Sequence, residues 1–381
     1  MELVWATEDF VVKGQPYPGF PILLHDSMES CAPANEFMRH YLFRGAIGSH
    51  RSWPSTGRAM YDFFGFLQAH ELAWNAVRAG DDHSLIAAYR DYCLDTIGLA
   101  RNTVRQRLLY ICEFYKYAHK QQWIDCLPFH YEERRTTGGE GRFLAHIDAT
   151  AGKSLVRNVS PKKYRDLPRF LTIEAAKTLV AATDNLHHRM IIRLGLQTGL
   201  RREEIATFPL AYVFDPDRRG RTERNLCVRL DPRDGHGMRT KGSKVRDLYI
   251  SRRLMKDLHH YAVHVRGERA RLGEQKHPQL FLNQRGQPFT ADGKRIERIV
   301  RDVGARVGLN VHPHMLRHTY ATLTLSSMQQ ARTGIDPLVF VQRQLGHASI
   351  QTTMVYLHLV HERADAAVLA YDDELNDRVQ R

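Results

Sequence analysis

The chain has 381 residues, 43% of them hydrophobic, and a formal net charge of +13, with a pI of about 9.6. That length gives room for two domains with ordinary cores, and the charge makes an extended polyanion the natural partner. No apolar run approaches membrane-spanning length, Met1–Trp5 is not a basic segment followed by an apolar core, and five scattered cysteines (Cys31, Cys93, Cys112, Cys126, Cys227) argue against a disulfide framework and suit a reducing cytoplasm.

Residues 1–30 are punctuated by Pro and Gly, with β-prone runs such as Phe10-Val11-Val12, and read as an extended lead-in. Residues 31–135 read as helices. Val104, Leu108, Ile111 and Tyr115 recur at helical spacing, with Arg105, Arg107 and Lys116 on other faces, and Ala59–Leu67 is a second helix. A basic face on such a bundle suits DNA; solvated arginines on an ordinary bundle are the alternative. Residues 136–168 read as a basic linker: a flexible Thr136–Gly141 run, then Lys153, Arg157, Lys162, Lys163 and Arg165 with only Asp166 against them. The net charge favours a linker that crosses a duplex over a merely solvated one. Residues 169–381 form the last region. Thr172 is placed to cap a helix carrying Ala176, Leu179 and Val180. Most of the rest is helical, with β-prone runs at Cys227–Leu230 and Val245–Ile250 flanking a Gly- and Ser-containing turn, which predicts a hairpin. The fold class expected is mainly α with a small β-sheet.

Six polar residues in this last region can perform one chemistry. Arg201 follows Thr198-Gly199-Leu200 and precedes Glu203 and Glu204, the pattern of a helix end, a tight turn and a new helix start. Lys241 lies in the predicted hairpin turn, with Lys244 as its rival. His314 and Arg317 are spaced to share a helix face. His347 follows Leu345-Gly346, and Tyr356 is far enough beyond it to lie on a separate short helix. Transesterification at a phosphodiester needs cations on the non-bridging oxygens, a nucleophile, a group to take its proton and an acid for the leaving oxygen. Two arginines supply planar bidentate phosphate recognition, a lysine can donate a proton, and a tyrosine hydroxyl can attack if its surroundings are positive. No carboxylate pair accompanies these residues to hold magnesium, so metal-free chemistry is expected. No zinc site is expected either: no Glu follows His260 in the His260/His264 pair, and Cys126 and His130 are isolated.

The order and local contexts of Arg201, Lys241, His314, Arg317, His347 and Tyr356 resemble the tyrosine recombinases, the lambda-integrase or phage integrase family, closely over about residues 170–360 and only in style before that. The resemblance favours Arg201 over Arg202 and Lys241 over Lys244, and leaves His312 and His318 as flanking residues. It implies a helical core-DNA-binding domain and a mostly helical catalytic domain closing as a C-shaped clamp on double-stranded DNA at a specific recombination site. DNA contacts are expected from Arg105, Arg107, Lys116, Lys162, Lys163, Arg165 and Lys244. Tyr356 would form a 3′-phosphotyrosyl link, Arg201 and Arg317 with His347 would hold the phosphate oxygens, Lys241 would protonate the leaving 5′-oxygen, and His314 would accept the tyrosine's proton or bind the phosphate. No cofactor is implied. The partners implied are a tetramer on two sites, an apolar C-terminal stripe (Ala364, Ala367, Val368, Tyr371) docking on a neighbouring protomer, and an accessory or partner recombinase. Residues 327–334 read as an insertion against the family pattern. Integration or excision of a mobile element is the expected role. Two alternatives are a type IB topoisomerase-like enzyme and a catalytically silent DNA-binding accessory protein.

Overall fold

The computed structural model describes residues 1–43, 50–78, 84–135, 153–162, 168–331 and 335–357. The chain divides into two units, Met1–Arg165 and Asp166–Arg381. It is mainly helical, with two-stranded antiparallel sheets as its β-structure.

In the first unit β1 (Glu2–Trp5) pairs with β4 (Pro21–Leu24), and β2 (Val11–Val12) pairs with β3 (Gln15–Pro16). Lys13 and Gly14 both take positive φ, the twist that a two-residue hairpin needs. The lead-in is therefore folded into the unit. Phe20 and Leu23 are buried, and Asn35 of α1 (Ala32–Leu42) anchors β4 by accepting from Leu23 N (2.8 Å) and donating to Leu23 O (2.7 Å). Around this pack α2 (Trp53–Ala69), α3 (Leu85–Asp91, capped by Ser84) and α4 (Arg101–Lys120). Val104, Leu108, Ile111 and Tyr115 of α4 are buried, as their spacing predicts.

The stretch read as a linker differs from that reading. β5 (Tyr131–Arg135) pairs in register with β6 (Lys153–Arg157), Tyr131 opposite Arg157. Arg157 bonds Glu113 of α4 at 2.6 Å, and Val159 is buried in the first unit's core. The basic residues hid a strand because backbone pairing and one buried valine hold it, not an apolar stripe. The run at 136–152, with Lys163 and Arg165, lies outside the described residues.

The second unit contains α5 (Ile173–Ala181), α6 (Leu186–Thr198), α7 (Arg202–Ala206), β7 (Asn225–Leu230), β8 (Arg246–Ser251), α8 (Arg252–Tyr261), α9 (Gly267–Arg271), α10 (Lys294–Ala305), α11 (Pro313–Gln330) and α12 (Pro337–Leu345), with residues 350–357 also helical. Several starts are set by side-chain caps: Thr172, Asn185, Ser251 and Asp336 each accept from backbone N–H groups one turn in. β7 and β8 form the predicted hairpin, with Leu226, Val228, Leu230, Leu248 and Ile250 buried on one face. The sequence read as an insertion is, through Gln330, the last turn of α11; residues 332–334 are outside the described set.

Candidate active site

The site in the second unit begins where α6 stops. Gly199 ends that helix at φ +67, and a Cβ there would lie 2.6 Å from Leu345 and 2.7 Å from Tyr320. Glycine thus serves both the left-handed turn and the close packing against α11 and α12. Two residues on, Arg201 occupies the N-cap position of α7. Its backbone N–H donates to Glu204 Oε2 (2.8 Å) and its Nη1 to Glu204 Oε1 (3.0 Å). Arg246, the first residue of β8, reaches the same carboxylate with two bonds of 2.6 and 2.8 Å. Glu204 is 1% exposed. Burial alone would raise its pKa, but the bonds and charge of Arg246, then Arg201, hold it below the ordinary glutamate value. Arg202, the neighbour set aside in favour of Arg201, instead pairs with Glu297 of α10.

Arg317 enters from α11 and is 1% exposed. Its Nη1 donates to the Gly199 carbonyl and its Nη2 to the Leu345 carbonyl, each at 2.7 Å, so one guanidinium ties the ends of α6 and α12 together. Its Nε, and that of Arg246, are buried without a protein partner. Burial, then the charge of Arg201, push the Arg317 pKa down to about 9, which leaves it cationic at neutral pH. Two guanidinium groups therefore share one carboxylate, whose charge also reaches the third. Such a cluster has charge and donors to spare, and an anion satisfies both.

Three imidazoles and a phenol complete the site. His314 keeps an exposed edge, and its ring lies 4.3 Å from that of His318, one turn along α11. Desolvation by its neighbours, then Arg317, His312, Arg201 and Lys241, lowers its pKa. Lys241 is exposed in the β7–β8 turn, and its charge reaches His314; Lys244, also exposed, closes the turn by accepting from Thr240 at 2.7 Å. Gly346 (φ +66) ends α12 and delivers His347, whose Nδ1 lies 2.9 Å from Thr353 Oγ1. Burial, then Arg317 and Arg201, hold His347 at about 3. Tyr356 is 3% exposed, packed against Ala321, Leu325, Val341 and Leu345, with its ring 6.3 Å from His347 and nearly parallel to it. Its hydroxyl lies 2.8 Å from His318 Nδ1. Burial raises the Tyr356 pKa, and the opposing charges of Arg317 and Arg201 do not overcome that.

The structure thus brings Arg201, His314, Arg317, His347 and Tyr356 together, with Lys241 at the rim. Sequence reasoning missed Glu204, Arg246 and Thr353 and placed His318 as a flanking residue. Two of these left readable signals: Glu204 stands at the capping-box spacing after Arg201, and Arg246 shares the alternation of Leu248 and Ile250, an arginine on an apolar strand face.

Three of the residues expected to touch DNA from the first unit, Arg105, Arg107 and Lys116, have partners within it. Arg105 donates to the Pro161 carbonyl, Arg107 pairs with Asp62 at 2.5 Å, and Lys116 pairs with Glu113 at 3.1 Å. Lys162 is exposed. The five cysteines are free, with Cys31, Cys93 and Cys112 buried and Cys227 exposed. Among the described residues no group of three or more metal-ligating side chains occurs, and no helix is long and apolar enough to cross a membrane.

A mostly helical unit whose arginines and histidines converge on one tyrosine is the arrangement of a tyrosine recombinase. Residues 169–363, just over half of the chain, match the family model described as "Phage integrase family". The chain belongs to that family, and its activity is that of a tyrosine-type site-specific DNA recombinase. It is similar to the tyrosine recombinase XerA of Pyrococcus horikoshii, 27% identical over 289 residues (72% of this chain, 89% of the relative), and to XerC of Bacillus subtilis, 26% identical over 272 residues (70% and 73%). Solved structures that share the fold include two bound to DNA. One is XerH bound to a palindromic difH substrate, TM-score 0.55 at 18% identity, covering 89% of this chain and 88% of that one. The other is the Tn1549 transposon integrase in complex with transposon right end DNA, TM-score 0.55 at 17% identity, covering 89% and 99%.

Proposed function

We propose that this recombinase cleaves and rejoins double-stranded DNA at a specific site through a 3′-phosphotyrosine on Tyr356. The observation that carries this reading is the meeting of Tyr356 with two buried or half-buried arginines whose charge a single carboxylate leaves in excess. Arg201 and Arg317 hold the non-bridging oxygens, where charge grows in the transition state. His314 and His347, neutral at rest, add hydrogen bonds rather than further charge. Lys241, free at the rim, protonates the leaving 5′-oxygen. The bond energy stays in the covalent link, so a partner strand's 5′-hydroxyl reverses the step without ATP.

The first unit serves as the core-DNA-binding domain and the second as the catalytic domain, with Lys162, Lys163, Arg165 and Lys244 among the phosphate contacts. Arg105, Arg107 and Lys116 join them only by exchanging internal partners for phosphates. Four protomers act on two sites, each passing its C-terminal tail to a neighbour, in the reducing cytoplasm. The biological task is integration or excision of a mobile element. The fold is shared with a transposon integrase, which is compatible with that task.

The test is a suicide-substrate assay. Nicked duplexes from the DNA flanking the protein's own gene are mixed with protein in EDTA and run on denaturing gels. A covalent band lost in Tyr356→Phe is expected. Tight binding without a band on any duplex would favour a silent accessory protein. Rapid relaxation of a single supercoiled circle without a partner site would favour a topoisomerase-like enzyme.

A further inference from the structure

Resting on the phosphotyrosine reading above, we propose that His318 is the group that aims the Tyr356 hydroxyl and takes its proton during cleavage, leaving His314 and His347 to the phosphate. The geometry separates the three imidazoles. Among the described residues, the imidazole nitrogen within hydrogen-bonding distance of Tyr356 Oη is His318 Nδ1, at 2.8 Å. His347 has its Nδ1 engaged by Thr353 Oγ1, and its ring lies nearly parallel to the phenol with the centroids 6.3 Å apart. His314 presents an exposed edge near Arg317, Arg201 and Lys241, the groups suited to phosphate.

Chemistry then assigns the bond's direction. A phenol donates to a neutral imidazole when the ring proton sits on Nε2 and Nδ1 offers its lone pair. His318 is held in that neutral form by burial, then by His314, Arg317 and His312, at about 3. An uncharged ring can accept, whereas an imidazolium could only compete as a donor. Arg317, the cation among those neighbours, is what an incoming phosphodiester neutralises. DNA binding therefore removes the opposing charge of Arg317 at the moment the nucleophile must lose its proton, while burial of the ring is unchanged. As the Oη–P bond forms, the phenolic proton passes to His318 Nδ1. As the P–O5′ bond breaks, the leaving oxygen takes a proton from Lys241. Religation by a 5′-hydroxyl returns both protons.

Holding the acceptor on α11, beside Arg317, has a further consequence. The nucleophile lies in the helical stretch 350–357, so a hydrogen bond from α11 fixes Oη relative to the arginine cage from outside its own helix. Such alignment is the kind of positioning that a small displacement destroys.

The experiment uses the full chain on the nicked duplex, and on the same duplex with sulfur replacing the bridging 5′-oxygen at the scissile phosphate. His318→Ala should slow adduct formation by roughly 100-fold or more. The defect should persist on the sulfur substrate, because a better leaving group does not replace a proton acceptor; a Lys241→Ala defect should largely vanish there. His318→Asn, whose amide oxygen lies near the position of Nδ1 and can accept the hydrogen bond but not keep the proton, should restore alignment alone and fall between His318→Ala and wild type, and His318→Gln, which reaches toward Nε2, should resemble His318→Ala. If the alanine variant fails to fold, the Asn and Gln pair carries the comparison. The proposal is overturned if His318→Ala cleaves at or above the wild-type rate, if sulfur cures its defect, or if Gln substitutes better than Asn. Absence of a wild-type adduct would instead sink the phosphotyrosine reading itself.

Discussion

Glu204 is a carboxylate with almost no water, held by Arg246 in a two-pronged bond and by Arg201 through backbone and side chain. Removing its charge leaves two guanidinium groups facing each other in a dry place, so Glu204→Gln should destabilise the catalytic unit by about 3 kcal/mol in urea unfolding at neutral pH. The folded pKa lies below the usual value of 4.5. The carboxylate's contribution is thus fully present above that value and is lost as pH falls through the folded one. The stability gap between wild type and variant should hold steady down to pH 4.5 and narrow below it; a gap that is constant throughout would mean that the charge is not what matters. Arg317 carries a second prediction. Lysine cannot reproduce its planar donors, so Arg317→Lys should cut adduct formation roughly 100-fold or more while leaving DNA binding largely intact; near-normal cleavage would take Arg317 out of the cage. At this scale the sequence was most informative where a residue type stands in a distinctive local context, as Arg201, Arg317 and Tyr356 do. Glu204 and Arg246 meet across 42 positions, and no local pattern announces that meeting. His318 was in view, but only the placement of Tyr356 Oη gives it a partner.

Secondary-structure elements were legible in proportion to the burial of a periodic face. α4 and the β7–β8 hairpin follow their apolar spacing, and Thr172 and Gly199 mark helix ends by side-chain and backbone chemistry that can be read directly. The β5–β6 pair was missed because its residues are charged and its pairing is made by backbone bonds plus Arg157 and Val159. The first thirty residues were seen as extended but not as anchored, since the anchor is a side chain on another element, Asn35. The same view identifies Gly199 as a tight junction of the catalytic unit. Gly199→Ala must adopt a left-handed conformation and push aside Leu345 and Tyr320. It should cost more than the ~1–2 kcal/mol of the backbone term alone, read as a lowered urea midpoint, and should slow cleavage by displacing Arg201. An alanine variant of wild-type stability would show that the α6–α12 packing is looser than the structure has it.

For the whole molecule, the charge of +13 indicated a polyanionic partner, and the ordering of six residues along the second unit indicated the reaction class. Pairing within the first unit, where Arg107 and Lys116 already have acidic partners, was not legible because composition counts charges without saying which are spent. The histidines have a consequence for the free protein. His187, His318 and His347 are held at about 2, 3 and 3 against a usual 6.5, mainly by burial. Below 6.5 the unfolded chain binds more protons than the folded one, so stability should fall progressively as pH drops from that value. Urea midpoints measured across neutral to mildly acid pH should decline from about 6.5 downward; a midpoint that is flat until the carboxylate range would contradict the burial of these rings.

The first measurement to make is the chemical identity of the DNA–protein link. The covalent complex trapped on a nicked duplex is digested with trypsin and nuclease and analysed by mass spectrometry. The tryptic peptide from Gln344 to Arg363 contains a single tyrosine, Tyr356. A nucleotide attached through its 3′-phosphate to that tyrosine is the expected result. A label on any other residue, or on Tyr356 through a 5′-phosphate, would contradict the assignment of Tyr356 as the nucleophile of a 3′-phosphotyrosine recombinase.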